Sequence, residues 1–381
     1  MLNNQSHLFS LPTDVTYLNG AYMAPLSKAV AEVGQKALLQ KQNPSQISGE
    51  DFFTHTQILK ESFAKLINVK NANQIAIIPS VSYGLATVAN NIKLNKGDKI
   101  LMLQEQFPSN VYVWQKLAQK YEAKVVFVKA PQLEKGRGAI WNEHILNAIN
   151  NKTAVVAIPH VHWADGTLFD LEAIRKKTKE NKALFIVDGT QSVGALPFSV
   201  AKVQPDALIC AGYKWLMGAY GLGLAYFSDS FNQGNPIEEN WINRYNSQDF
   251  AGLVNYEERY QPGAGRYNMG EVSNFVYTPM LTTAIRQILE WQPQNIQDYC
   301  QQISSEAIKE LRKLGCFIEE EDYRAKHLFG IYLPNSINIE ELKIRFNQQK
   351  VFVSFRGKAI RVSPNIYNSK TDFDKLVSCF K

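Results

Sequence analysis

The chain has 381 residues, of which 45% are hydrophobic and 20% charged, with 41 Lys and Arg against 35 Asp and Glu for a net charge of +6. That balance excludes a disordered chain, a coiled coil and a collagen-like fibre, and it suits two ordinary domains or one large one with a cap. The basicity is mild and no basic-aromatic stripe accompanies it, which argues against a nucleic-acid partner.

Taken from the start, MLNNQSHLFS has neither the basic nor the apolar region of a secretory signal. No stretch reaches the roughly 18 uninterrupted apolar residues of a membrane helix. The expected location is the cytoplasm, with no membrane partner. The four cysteines, Cys210, Cys300, Cys316 and Cys379, show no CxxC spacing and read as free thiols. From 75 to 227, short β-branched runs alternate with amphipathic stretches. Strands are expected at 75–80, 99–104, 125–129, 154–160, 183–189, 206–212 and 222–228. Helices are expected at 83–92, 109–121, 143–150 and 171–181, the last carrying Arg175, Lys176, Lys177 and Lys179 on a solvated face. Such alternation predicts an α/β fold whose mostly parallel sheet has helices on both faces. Residues 231–280 are rich in Gly, Asn, Tyr, Glu and Pro and read as loops. From about 280 the pattern is α+β: helices near TTAIRQILEW and SSEAIKELRKLG, strands in FGIYLP, KVFVSFRG and AIRVSP, and a final helix in TDFDKLVSCF.

The chemistry concentrates in FIVDGTQSVGALPFSVAKVQPDALICAGYKWLMGAYGLG (185–223). Asp188 and Gln191 follow one apolar strand, and Lys214 follows the next. Both strands should end at the carboxyl edge of the sheet, where ligands of such sheets bind. Partial desolvation lowers a lysine pKa, and only the neutral amine attacks a carbonyl. An aspartate opposite it suits a cofactor with a pyridinium nitrogen, so the pair points to pyridoxal 5′-phosphate (PLP). The same two residues could equally form an ordinary salt bridge. In IIPSVSYGLATVAN, the N–H groups of Val81, Ser82 and Tyr83 and the Ser82 hydroxyl could cradle a phosphate at a helix start, although a plain cap explains the serine as well. Phe107 follows another strand and could stack on a cofactor ring or simply fill the core. His160 and His162, with Asp165 and Asp188 in PHVHWADGT and beyond, raise a metal site, but no further ligand is spaced to them, and no metal is expected.

DGTQSVGALP followed by AGYKWLMG resembles the class-V aminotransferases, a PLP-dependent fold-type I branch that also holds cysteine desulfurases, kynureninases and isopenicillin N epimerase-like proteins. The resemblance runs from YLNGAYMAPLS (17–27) to IRVSPNIYNS (360–369). It implies a seven-stranded-type, mostly parallel sheet in a large PLP-binding domain at 19–265. An N-terminal segment at 1–18 precedes it, and a small α+β domain at 266–381 follows. It implies Lys214 as the Schiff-base lysine and general base, with Asp188 on the pyridine nitrogen. Gln191 would lie near the ring's phenolic oxygen, Phe107 on the ring face, and Val81, Ser82, Tyr83 and Tyr213 at the phosphate. Trp163 replaces the Asn of desulfurases and would wall the substrate side, with His162 nearby. Arg361 matches the arginine that grips a substrate α-carboxylate, and Asn19, Ala21 and Tyr22 would border the entrance. A homodimer is implied, with Ser273 and Asn274 reaching the partner's cofactor phosphate. Because 348–363 contains no cysteine, a loop-cysteine desulfurase is excluded at this point. Transamination is the leading expectation, and a lyase or epimerase the alternative.

Overall fold

The computed structural model describes residues 2–381. In chain order its elements are β1 (Thr16–Tyr17), α1 (Lys28–Gln40), α2 (Asp51–Leu66), β2 (Ile75–Ile78), α3 (Val81–Asn90), β3 (Lys99–Leu103), α4 (Tyr112–Tyr121) and β4 (Lys124–Val128). Next come α5 (Arg137–Ala148), β5 (Thr153–Pro159), α6 (Leu171–Glu180), β6 (Leu184–Asp188), α7 (Val200–Val203), β7 (Ala207–Ala211) and β8 (Gly223–Phe227). The last third holds α8 (Tyr277–Trp291), α9 (Pro293–Lys313), β9 (Phe329–Tyr332), α10 (Ile339–Gln348), β10 (Val351–Phe352), β11 (Ser354–Arg356), β12 (Ala359–Val362) and α11 (Lys370–Phe380).

Seven strands form one sheet in the order β2-β8-β7-β6-β5-β3-β4. All neighbours are parallel except β8, which runs antiparallel to both β7 and β2. Both faces are covered, so the strands read as continuous apolar runs rather than alternating ones. Alternate residues still divide between the faces. Ile100 and Met102 of β3 join Leu85 and Val88 of α3, and Trp114 and Leu117 of α4, in one core. Leu101 and Leu103 face the other core with Leu59 and Phe63 of α2 and Ile145 of α5.

The small sheet has the order β11-β12-β9, all antiparallel. Two placements join segments that the resemblance assigns to different domains. Strand β1 pairs with β10, so the N-terminal segment is stitched to the C-terminal part of the chain. Helix α8 packs on α1 and α2 rather than on the small sheet. Between 229 and 267 the chain carries only short 3-10 turns, as the loop-rich composition predicts.

Candidate active site

The carboxyl edge of the large sheet encloses a cavity of about 210 Å³. Asp188 is the last residue of β6, and Lys214 stands three residues beyond the end of β7, the neighbouring parallel strand. Both line this cavity. No ion pair within 4.0 Å joins them, so the salt-bridge reading of the pair fails. Asp188 is buried and accepts a hydrogen bond at Oδ1 from the Thr190 N–H at 2.9 Å. Burial raises its pKa despite that bond and the nearby Lys214 charge. Lys214 is 7% exposed, and burial, then the Arg361 charge, lower its pKa to about 8 against the pull of Asp188. Its Nζ lies 5.4 Å from the Phe107 ring centroid and 5.5 Å from that of Tyr213. Burial and the Arg361 charge ease loss of the proton even though the flanking ring faces favour the cation, which suits an amine that must attack a carbonyl.

Phe107, Trp163, Gln191, Tyr213, Val81 and Ser82 also line the cavity. Phe107 and Trp163 meet edge to face at 5.3 Å, and Trp163 Nε1 donates to the Glu105 carbonyl at 2.6 Å. Gln191 is committed on both ends: Oε1 accepts from Trp215 Nε1 at 2.9 Å and Nε2 donates to the Ala21 carbonyl at 3.2 Å. Its amide braces the wall and keeps its second N–H to offer. Helix α3 starts at the cavity, and the N–H groups of its first turn have no intrahelical partner. Ser80 caps it by accepting from the Tyr83 N–H at 3.2 Å, leaving Val81 and Ser82 to offer theirs. Tyr83 is not on the cavity wall; its hydroxyl faces Glu238, which with burial raises its pKa.

Arg361 sits on β12, 2% exposed, donating from Nη1 to the Trp163 carbonyl at 2.9 Å. Burial and the neighbouring Arg356 lower its pKa to about 9, and no carboxylate pairs with it. Asn19 is buried and accepts from the Ser354 hydroxyl at 2.7 Å, so it braces the strand beside Arg361. Tyr22 is 55% exposed.

The expectation for His162 changes on inspection of the structure. His162 is buried away from the cavity, with Nδ1 3.2 Å from Asp165 Oδ1 and its ring 5.1 Å from that of Trp141. Asp165 also holds Arg137 at 3.1 Å and accepts from the Tyr332 hydroxyl at 2.8 Å, so His162 belongs to an internal charge cluster rather than a substrate pocket. His160 is half-buried against Phe198, and desolvation lowers its pKa to about 3. Within this chain Ser273 donates to the Phe52 carbonyl and Asn274 accepts from Tyr277 N–H at 2.7 Å, so both are engaged at the start of α8, off the cavity. Sequence reasoning missed Tyr220 and Ser80, which line the cavity, and Arg356, whose guanidinium lies 5.6 Å from the Trp163 ring centroid. The signal for Arg356 was its spacing of two residues from Ser354, across the hairpin from Arg361.

The donor set fits PLP. A buried acid, an easily deprotonated amine, an aromatic wall and a helix start with open N–H groups all face one space. Comparison with known proteins agrees. The family model described as Aminotransferase class-V matches residues 16–376. An uncharacterized aminotransferase, YcbU, of Bacillus subtilis is 24% identical over 92% of this chain and 89% of its own length. A probable cysteine desulfurase of Pyrococcus abyssi is 33% identical over 46% of this chain and 44% of its own. The cystine C–S lyase C-DES has the same fold. A mutant with glycine covalently linked to its PLP cofactor superposes with a TM-score of 0.85 at 19% identity, covering 98% of both chains. Its complex with the reaction product cysteine persulfide gives 0.83 at 19% identity, over 96% of this chain and 97% of that one. These relatives overturn the exclusion of a cysteine desulfurase, which rested on a missing loop cysteine. Proteins bearing that name are among the matched sequences, and the missing residue does not remove carbon–sulfur chemistry from consideration.

Proposed function

The chain belongs to the class-V aminotransferase family of PLP-dependent enzymes, and from that we propose that it cleaves the carbon–sulfur bond of a sulfur-bearing α-amino acid. When bound, PLP supplies an aldehyde for the substrate amine and a protonated ring that takes up the electrons left at Cα. Lys214 is the residue that would hold it covalently, and Asp188 would keep the ring nitrogen protonated. Val81 and Ser82 N–H groups would meet its phosphate, and Phe107 and Trp163 would wall the ring.

One observation carries the choice of reaction. Of the side chains that line the cavity, Lys214 alone is poised to take and give a proton near neutral pH. Asp188 would be committed to the ring nitrogen, and burial raises the Tyr213 pKa further above neutrality. A site with one base and no separate acid favours a leaving group that departs unaided, as a thiolate or persulfide does. Lys214 removes the Cα proton, Arg361 holds the α-carboxylate, and the C–S electron pair leaves on sulfur. The remaining enamine takes up water and gives pyruvate and ammonium, so atoms balance without an oxidant. No protein thiol is required, because sulfur leaves with the product. The names of the relatives, desulfurase and C–S lyase, support the same choice.

Within this proposal Gln191 would lie near the ring's phenolic oxygen, Tyr213 at the phosphate, and Asn19 and Tyr22 at the substrate entrance. The homodimer, with Ser273 and Asn274 turned toward a second copy, belongs to it too, as does the cytoplasmic location, which four free cysteines support. Among the described residues no helix is long and apolar enough to cross a membrane. The decisive experiment gives the holoenzyme L-cystine and S-alkyl-L-cysteines and measures pyruvate together with the sulfur product, persulfide from cystine and thiol from the S-alkylcysteines. Equal release of both supports the proposal. A product that forms only with an added keto acid sinks it.

A further inference from the structure

Strands β11 and β12 form an antiparallel hairpin in which Ser354 lies opposite Arg361 and Arg356 opposite Ala359. Arg356 is two residues from Ser354 on one strand, and Arg361 two from Ala359 on the other. With a side-chain period of two, both guanidinium groups leave the same face, as diagonal neighbours about 7–8 Å apart at their origins. Both lean on Trp163, Arg361 through the backbone oxygen at 2.9 Å and Arg356 over the indole at 5.6 Å. Neither makes an ion pair. The hydrogen bond made by Arg356 runs from Nη1 to the carbonyl of its own neighbour Phe355 at 2.8 Å, and its Nε is buried without a partner. Glu105, whose Oε2 is 4.0 Å from where a Cβ on Gly357 would sit, does not pair with it.

Like charges on one sheet face repel, and partly buried ones cost more. Arg356 and Arg361 lie outside the cavity lining, close enough that both charges act on Lys214, which shares the cavity wall with one carboxylate, Asp188. A substrate with a single carboxylate would satisfy Arg361 and leave Arg356 unpaired.

We propose that Arg356 is a specificity-determining residue, and that the substrate is an α-amino acid whose side chain ends in a second acidic group. Arg361 receives the α-carboxylate and Arg356 the distal anion, each with the planar fork that suits a carboxylate. This rests on the reading of the site as one for α-amino acids and names its substrate class more closely.

The test compares holoenzyme with its Arg356→Gln and Arg356→Lys variants. The substrates are S-carboxymethyl-L-cysteine and S-ethyl-L-cysteine, which lacks the second carboxylate. The ratio of kcat/KM, carboxymethyl over ethyl, should fall about tenfold or more in Arg356→Gln, through KM, and recover in part in Arg356→Lys. An unchanged ratio overturns the assignment. A second arm needs no turnover: adipate and hexanoate are titrated calorimetrically into the wild-type holoenzyme. Adipate should bind about tenfold tighter or better; equal binding overturns the proposal even if the variants do not fold. A preference for adipate without pyruvate from either thioether would sink the lyase reading alone. Pyruvate without that preference would sink the dianion assignment alone.

Discussion

Arg361 donates to the backbone oxygen of Trp163 at 2.9 Å, and its buried guanidinium has no carboxylate to neutralise it. A structural arginine so deeply placed would be paired, because an uncompensated buried charge is expensive. The prediction separates binding from folding. Arg361→Gln should lower kcat/KM about 10²–10³-fold. It should leave the unfolding temperature of the apo-protein unchanged or raise it, since a repelling cation leaves the neighbourhood of Arg356 and Lys214. Steady-state kinetics and a thermal melt read the two effects; a drop of several degrees would make Arg361 a structural residue.

Lys214 has a pKa of about 8 in place of 10.5. Its neutral fraction therefore rises through pH 8, and the apo-protein should capture PLP at a rate that climbs with a midpoint near there. Removing a cation raises the midpoint and removing an anion lowers it. Arg361→Gln should shift it up and Asp188→Asn down, while Lys214→Ala should abolish the borohydride-stable adduct. Between pH 8 and 10.5 the unfolded chain holds the extra proton, so the burial penalty of this lysine fades as pH rises through that window. Absorbance in stopped flow reports the rates, and a midpoint near 10.5 would refute the desolvated-lysine account.

The readable parts of the site were those fixed by local order. Asp188 and Lys214 each follow an apolar strand, so the edge they share was visible before any contact was known. All seven large-sheet strands appeared as short apolar runs for the same reason. What depends on distant pairing was hidden. The β1–β10 pairing joins residues more than three hundred positions apart, and the shared face of Arg356 and Arg361 exists only in the hairpin register. His162 was misjudged because Asp165, three residues on, folds back to take its ring nitrogen. Gln191 lines the cavity, and its partners Trp215 and Ala21 lie on other segments that no local pattern reveals.

Gly194 has φ +105, and a Cβ there would collide with the carbonyl oxygen of Trp215, the residue after Lys214. Gly194→Ala should destabilise the protein by about 2–4 kcal/mol, combining backbone strain with that clash. It should also slow PLP capture, because the displaced segment carries the lysine. Denaturant midpoints and capture rates should fall together; a stable variant with normal capture would show that the turn has slack.

His327 ties the cavity wall to α9. The Gln191 carbonyl can only accept, so Nε2 carries the proton and donates to it at 2.8 Å, and Nδ1 accepts from Gln297 Nε2 at 2.7 Å. Burial lowers the pKa of His327 to about 4 and that of His160 to about 3, from 6.5. Below pH 6.5 the unfolded chain binds protons that the folded one refuses, so stability falls as pH drops toward 4. Protonating Nδ1 would break the Gln297 bond, while the Nε2 bond to the Gln191 carbonyl persists. Thermal midpoints taken from pH 7.5 to 4.5 should decline steeply below 6.5. A His327→Gln variant, less stable at pH 7.5, should decline less steeply because one of the two imidazoles with a lowered pKa is gone. Parallel curves for the two proteins would assign the acid sensitivity to groups other than His327.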